Sequence, residues 1–223
     1  MKTIRVKKGY TPKVVGSPST ASQRTEQPTR LALVPEHIPF MKLRLKVKKG
    51  DRVALGSPLV EDKRNTDIQL LSPGGGRVVD VRFGPRRVIQ EIIIQLDETE
   101  KTIEFQQYSQ KDIDKMNRDE LVQSLVTGGA WPLIKELPFR DYPRPDFVPP
   151  FLFVSLGSLE PFHPAPQVYL PGNEDLFDFG LNVLNKLANG RVYVCSHRAN
   201  TELASSLNGL INLNYTGCLL YTS

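Results

Sequence analysis

Between residues 31 and 96 the chain consists of short apolar runs that glycine and proline interrupt before any of them can become a helix. The runs at 31–34, 43–47, 52–54, 58–61, 68–71, 77–83 and 88–96 are separated by Pro35, Gly50-Asp51, Gly56-Ser57-Pro58, Pro73-Gly74-Gly75-Gly76 and Gly84-Pro85. Runs of this length bounded by turn formers read as strands, and many short strands at close spacing predict a compact all-β sandwich or barrel. In Lys42-Leu43-Arg44-Leu45-Lys46-Val47-Lys48 the period is two. The basic side chains therefore form a solvated strand face, and the leucines and valine face a core.

The pattern changes after Tyr108. Asn117-Arg118-Asp119-Glu120 has the form of a capping box, and Leu121, Val122, Leu125 and Val126 recur on one helical face until Gly128-Gly129 stops the helix. A proline-rich stretch, Leu137-Pro138-Phe139-Arg140 through Pro149-Pro150, reads as a connector. Beyond it Phe151-Leu152-Phe153-Val154-Ser155-Leu156 is continuously apolar, which predicts a central strand covered on both faces. Asn173 is placed to cap a helix with Glu174 and Asp175 in its first turn, and Asn189-Gly190 to end it. Arg191-Val192-Tyr193-Val194-Cys195 then makes a second strand, closing a right-handed βαβ unit. Residues 202–207 read as the start of another helix. The expected class is α+β and multidomain: an extended segment at 1–30, a β-rich domain at 31–105, a helix and proline-rich connector at 106–150, and an incomplete α/β domain at 151–223. A sheet of only two parallel strands does not stand alone, so the chain reads as a fragment.

Charge is unevenly spread. Thirteen lysines and arginines stand against Glu26, Glu36 and Asp51 in residues 1–55, a net +10 that the remainder brings down to +5. Such a segment suits an acidic partner or an anionic surface, but no aromatic residues interleave its lysines, and no nucleic-acid partner is expected. No apolar run approaches the roughly 20 residues of a membrane-spanning helix. The cationic residues at the N-terminus lack the apolar region of a secretory leader, and a cytoplasmic location is expected. Cys195 and Cys218 are too few for an iron–sulfur cluster, and Cys195 reads as a buried reduced thiol.

The motifs point away from chemistry in this chain. Gly74-Gly75-Gly76 leads into a strand rather than a helix and reads as a hairpin turn, not a phosphate cradle. His37, His163 and His197 are scattered, and Ser155 is not set in the full Gly-x-Ser-x-Gly pattern of a nucleophile elbow. No catalytic, cofactor-binding or metal-binding residue is assigned. Val47-Lys48-Lys49-Gly50-Asp51-Arg52-Val53 with Gly56-Ser57-Pro58-Leu59-Val60-Glu61-Asp62-Lys63 resembles the biotinyl/lipoyl carrier fold, in which a hairpin-tip lysine near the position of Lys63 receives the swinging cofactor. Here Lys63 is flanked by Asp62 and Arg64 instead of the methionines found in biotinyl domains. Gly128-Gly129-Ala130-Trp131-Pro132-Leu133 is similar to the glycine-rich loop of the flavin subunit of respiratory complex I and its Rnf relatives, with Trp131 and Pro132 where a flavin phosphate would need to approach.

Taken in order, Ile4-Arg5-Val6-Lys7-Lys8-Gly9-Tyr10, Lys49-Gly50-Asp51-Arg52-Val53, Glu61-Asp62-Lys63-Arg64-Asn65, Arg86-Arg87-Val88, Gly129-Ala130-Trp131, Leu137-Pro138-Phe139, Pro166-Gln167-Val168 and Gly190-Arg191-Val192-Tyr193-Val194-Cys195 resemble the A-subunit family of the sodium-translocating NADH:quinone oxidoreductase. Thr66-Asp67 departs from that family's Pro-Gly, which implies an altered turn. The resemblance implies a barrel-sandwich hybrid followed by an α/β domain like the flavin domain of complex I. It also implies a peripheral subunit on the cytoplasmic side of the bacterial membrane, held there through the other subunits and chiefly the quinone-reducing one. The complex uses NADH, flavins, an iron–sulfur centre and ubiquinone; this subunit is expected to hold none of them and to support the quinone site. A lipoyl- or biotinyl-type carrier and an Rnf-type electron-transport subunit stand as alternatives.

Overall fold

The computed structural model describes residues 14–16, 18–38, 40–156, 162–197 and 211–215. The chain divides into two compact units, Thr25–Phe147 and a second that joins Met1–Arg24 to Val148–Ser223.

The first unit is a sandwich of two antiparallel sheets. Strands β1 (Arg30–Leu33), β3 (Arg52–Val53), β6 (Gly76–Phe83) and β7 (Ile89–Leu96) form one sheet in the order β1-β7-β6-β3; β2 (Leu43–Leu45), β4 (Pro58–Asp62) and β5 (Asn65–Leu71) form the other in the order β2-β4-β5. The two inner faces meet in one core made of Leu59, Val60 and Leu70 from one sheet and Val78, Ile89, Ile92 and Ile94 from the other. Alternation in β2 continues past the strand's end: Leu43, Leu45 and Val47 are half-buried, and Arg44, Lys46 and Lys48 are exposed.

Two turns differ from expectation. The glycines at 74–76 do not form a hairpin, because β5 and β6 belong to different sheets; they form the corner that carries the chain across the sandwich. The backbone runs so close there that a Cβ on Gly76 would lie 2.0 Å from the Gln95 carbonyl oxygen, and one on Gly75 2.7 Å from that of Lys101. Thr66 and Asp67 lie inside β5 rather than in a turn; the turn is formed by Lys63 and Arg64, since Asp62 pairs with Asn65.

Two helices follow the sheets within the same unit. Helix α1 (Gln110–Lys115) is an addition to the expected elements. It has no apolar stripe for the sequence to display, since only Ile113 is buried, but Ser109 and Asp112 close a reciprocal capping box at its start. Helix α2 (Arg118–Thr127) starts at the expected box between Asn117 and Glu120. The loop after α2 packs on the sandwich and on the first part of the span read as a connector: a Cβ on Gly129, which has φ +71°, would lie 2.7 Å from the Leu71 side chain, and Trp131 is buried with its indole N–H donating to the Pro143 carbonyl at 2.8 Å.

The second unit holds a parallel sheet. Strand β8 (Leu152–Ser155), short helix α3 (Pro166–Tyr169), helix α4 (Glu174–Leu187) and strand β9 (Val192–His197) make the expected βαβ unit, and β10 (Ile211–Tyr215) adds a third parallel strand in the order β10-β9-β8. Helix α4 buries Leu181 with Val194, Leu156 and Leu170. Asn173 precedes α4 but does not cap it; its amide donates instead to the Tyr169 carbonyl at 3.1 Å. Among the described residues strand β8 is an edge strand, not a central one. Phe153 on it is 53% exposed and stacks on Tyr193, with ring centroids 5.4 Å apart. The helix expected at 202–207 lies outside the described residues.

Candidate functional site

The one position at which the sequence offers a covalent chemistry is the β4–β5 turn bearing Lys63. Its two-residue geometry forces Asp62 and Asn65 to face each other, and it places Asp62 at the end of a strand whose last four residues are all buried. A carboxylate in that position must be neutralised locally, because its hydration is lost. The next residue but one does this. Arg64 reaches back with Nε at 2.9 Å and Nη2 at 2.7 Å from Asp62 Oδ2, while its backbone N–H donates to Oδ1 at 2.9 Å. The Tyr142 hydroxyl donates to the same Oδ2 at 2.8 Å, and the Lys42 backbone N–H approaches Oδ1 at 3.3 Å.

The other edge of the Arg64 guanidinium holds Asp141, at 2.7 Å from Nη1, and its Cζ lies 5.0 Å from the centre of the Tyr142 ring. The turn is thereby bolted to residues nearly eighty positions further along the chain. Burial of Asp62 works to raise its pKa, but the bonds from Arg64 and Tyr142 outweigh it and hold the carboxyl below its usual range. Asp141 is lowered chiefly by Arg64, whose own pKa is raised by Asp141 first and Asp62 second. Burial, and then the bond to Asp62, pushes the Tyr142 hydroxyl up to about 12.

This arrangement is a brace. Both Asp62 oxygens accept from fixed donors, so the carboxylate stays ionised and has no lone pair aimed at an incoming molecule. The Lys63 side chain is exposed, but its backbone N–H is tied to the Lys42 carbonyl at 2.8 Å and the adjoining arginine is anchored on both sides. A neighbouring carboxylate is treated alike: Glu61 takes Lys46 at 2.9 Å and Arg44 Nε at 2.5 Å, which lower its pKa in that order. The basic stripe of β2 is therefore in part an internal counter-charge, which the sequence pattern alone does not reveal.

The glycine loops are equally occupied by the chain itself. The Gly75 amide, one of those that would line an anion cradle, donates to Glu100 Oε2 at 2.6 Å. In the loop after α2, buried Trp131 and Pro132 take up the space a flavin phosphate would require, so the residues present do not fit that group. His163 is exposed; the side chains of His37 and His197, and all of Cys218, lie outside the described residues. Cys195 is half-buried rather than fully buried as expected, and burial pushes its thiol up, away from the reactive thiolate. Among the described residues no cluster of histidine, cysteine and carboxylate groups is arranged to hold a metal ion, and no helix is long and apolar enough to cross a membrane.

Two family models match the chain. Residues 4–97 match the NqrA N-terminal barrel-sandwich hybrid domain, and residues 116–218 match the NqrA second alpha/beta domain. The chain belongs to the NqrA family. Among curated relatives, the A-subunit of the Na(+)-translocating NADH-quinone reductase from Alcanivorax borkumensis is 32% identical over 208 residues, covering 93% of this chain and 46% of that protein. The proteins of the same name from Pasteurella multocida and Yersinia pseudotuberculosis are 31% and 29% identical, covering 91% and 95% of this chain and 45% and 47% of theirs. The chain thus spans a little under half the length of these relatives.

Proposed function

We propose that this chain serves as part of the NqrA-type component of a sodium-translocating NADH:quinone reductase, as a support piece that performs no redox step itself. It sits on the cytoplasmic side of the membrane, held there by the other subunits and above all by the quinone-reducing one, whose site it helps to shape. NADH, flavins, the iron–sulfur centre and ubiquinone belong to the complex as a whole.

The observation that carries this reading is the state of the Lys63 turn. In the position where a carrier domain keeps a mobile arm, Arg64, Asp62, Asp141 and Tyr142 lock the turn to the body of the unit. A locked turn suits a rigid spacer and opposes a swinging cofactor. The crowding around Trp131 supports the same reading, since the backbone there is shielded by the indole and proline rings.

The test is to express the full-length protein by itself and together with its membrane partners. By itself it is expected to be colourless, to have the mass calculated from its sequence, and to leave NADH unoxidised; with the partners it is expected to co-purify from membranes. A retained flavin absorbance band, or added mass on Lys63, would refute the support role.

A further inference from the structure

The sandwich ends, at the turn from β6 to β7, in a loop that the brace does not reach. The Gly84 N–H donates to the Val88 carbonyl at 2.8 Å and the Arg87 N–H to that of Gly84 at 3.1 Å, which closes the turn tightly. Within it Arg86 and Arg87 both adopt left-handed backbone, with φ 56° and 58°. Side chains other than glycine and asparagine avoid this region, and strain of this kind persists only where surrounding bonds over-determine it, often at sites of function.

What the strain presents is charge. Both arginines are exposed, and among the described residues neither guanidinium has a hydrogen-bond or ion-pair partner, whereas Arg44, Arg52 and Arg82 on the same sandwich hold Glu61, Asp97 and Glu91. Apolar groups flank them: Phe83 is 46% exposed and Val88 60%. The Arg87 guanidinium lies over the Phe83 ring, 6.0 Å from its centre.

We infer that this tip docks into a carboxylate-lined recess on another protein of the complex, an inference that rests on the subunit reading above. A guanidinium stacked on a ring keeps its N–H edge free for two parallel bonds to a carboxylate, and it loses little freedom on binding. Arginine and aromatic side chains together are the usual anchors of protein interfaces. A membrane surface suits the tip less well, because two cations on a short turn fall short of the roughly four to eight that make a lipid-binding cluster.

The experiment uses the full-length protein, with membranes that carry the other subunits of the complex but lack this one. Wild-type protein, an Arg86→Asn/Arg87→Asn variant and an Arg77→Glu control are titrated onto these membranes at low and high salt, and onto protein-free vesicles of phosphatidylcholine and phosphatidylglycerol. Asparagine tolerates left-handed backbone, so the double variant keeps the turn and loses the guanidinium groups. Expected is a loss of about tenfold or more in affinity for the membranes with the double variant, as for a hot-spot arginine, with a weaker salt dependence and little change for Arg77→Glu. Unchanged affinity in the double variant would overturn the docking assignment alone. Binding to protein-free vesicles that the double variant loses would overturn it in favour of anionic lipid. Failure of the wild type to bind the subunit-bearing membranes would sink the subunit reading as well.

Discussion

Two turns on the same sandwich each place a pair of basic residues at a hairpin tip, and they use them in opposite ways. At the first, Lys63 and Arg64, the arginine is folded back into a partly buried network with Asp62, Asp141 and Tyr142. At the second, Arg86 and Arg87, both arginines face outward from strained backbone with no counter-charge among the described residues. The cause lies in what the flanking strands supply. Strand β4 ends on a buried carboxylate that must be neutralised, whereas the flanks of the second turn carry Phe83 and Val88, which ask nothing of a guanidinium beyond a ring to lie on. Equal charge at a turn therefore says nothing about its use until the burial of the adjacent residues is known.

The comparison breaks most sharply at Asp62. Replacing it by alanine leaves Arg64 with half its partners and the Tyr142 hydroxyl buried without an acceptor. The expected cost is about 3 kcal/mol, at the lower end for orphaning one side of a buried pair because the Arg64 side chain remains 35% exposed to water. Urea denaturation of the full chain measures it, and a loss below about 1 kcal/mol would reduce the brace to an ordinary surface pair.

Acid provides a second, smaller test of the same network. The carboxyls of Asp62 and Asp141 titrate below their ordinary range when folded and near it when unfolded, so the unfolded chain binds protons more readily. Their stabilisation is complete above about pH 5 and is lost as the pH falls through the folded-state values. The denaturation midpoint should therefore drop on going from neutral pH to about pH 3, and Asp62→Ala should flatten that drop. An equally steep drop in the variant would assign the acid sensitivity to carboxylates elsewhere.

Much of the architecture is legible because it is written in local terms. Glycine and proline spacing marks the strands from β1 to β7, and the Asn117 and Glu120 box marks α2, because turn and cap chemistry depends on near neighbours alone. What cannot be read depends on partners distant in sequence. Nothing near Asp62 announces Tyr142, and nothing near Gly74 says that its neighbours β5 and β6 lie in different sheets. Strand β8 misleads for a related reason: its continuous apolar run promises cover on both faces, yet Phe153 pairs with Tyr193 on an exposed face. The alternation Ile211, Leu213, Tyr215 is a local signal for β10 that lies outside the expected elements. Of the site, the Lys63 turn can be located from sequence but the lock upon it cannot, and the residues that make the second turn stand apart carry only a family resemblance there.

The smallest expected effect concerns that second turn and has the opposite sign. If Arg86 and Arg87 are kept for what they bind, they cost the isolated fold something, because left-handed backbone disfavours an L side chain by about 1–2 kcal/mol and asparagine by less. Arg86→Asn/Arg87→Asn should then stabilise the chain by about 0.5–1 kcal/mol in urea denaturation. The sign is what separates the two tips: disturbing a brace lowers stability, and relaxing a docking tip raises it. A clear loss of stability in this variant would mean that the arginines support their own fold, and the contrast between the turns would collapse to one of degree.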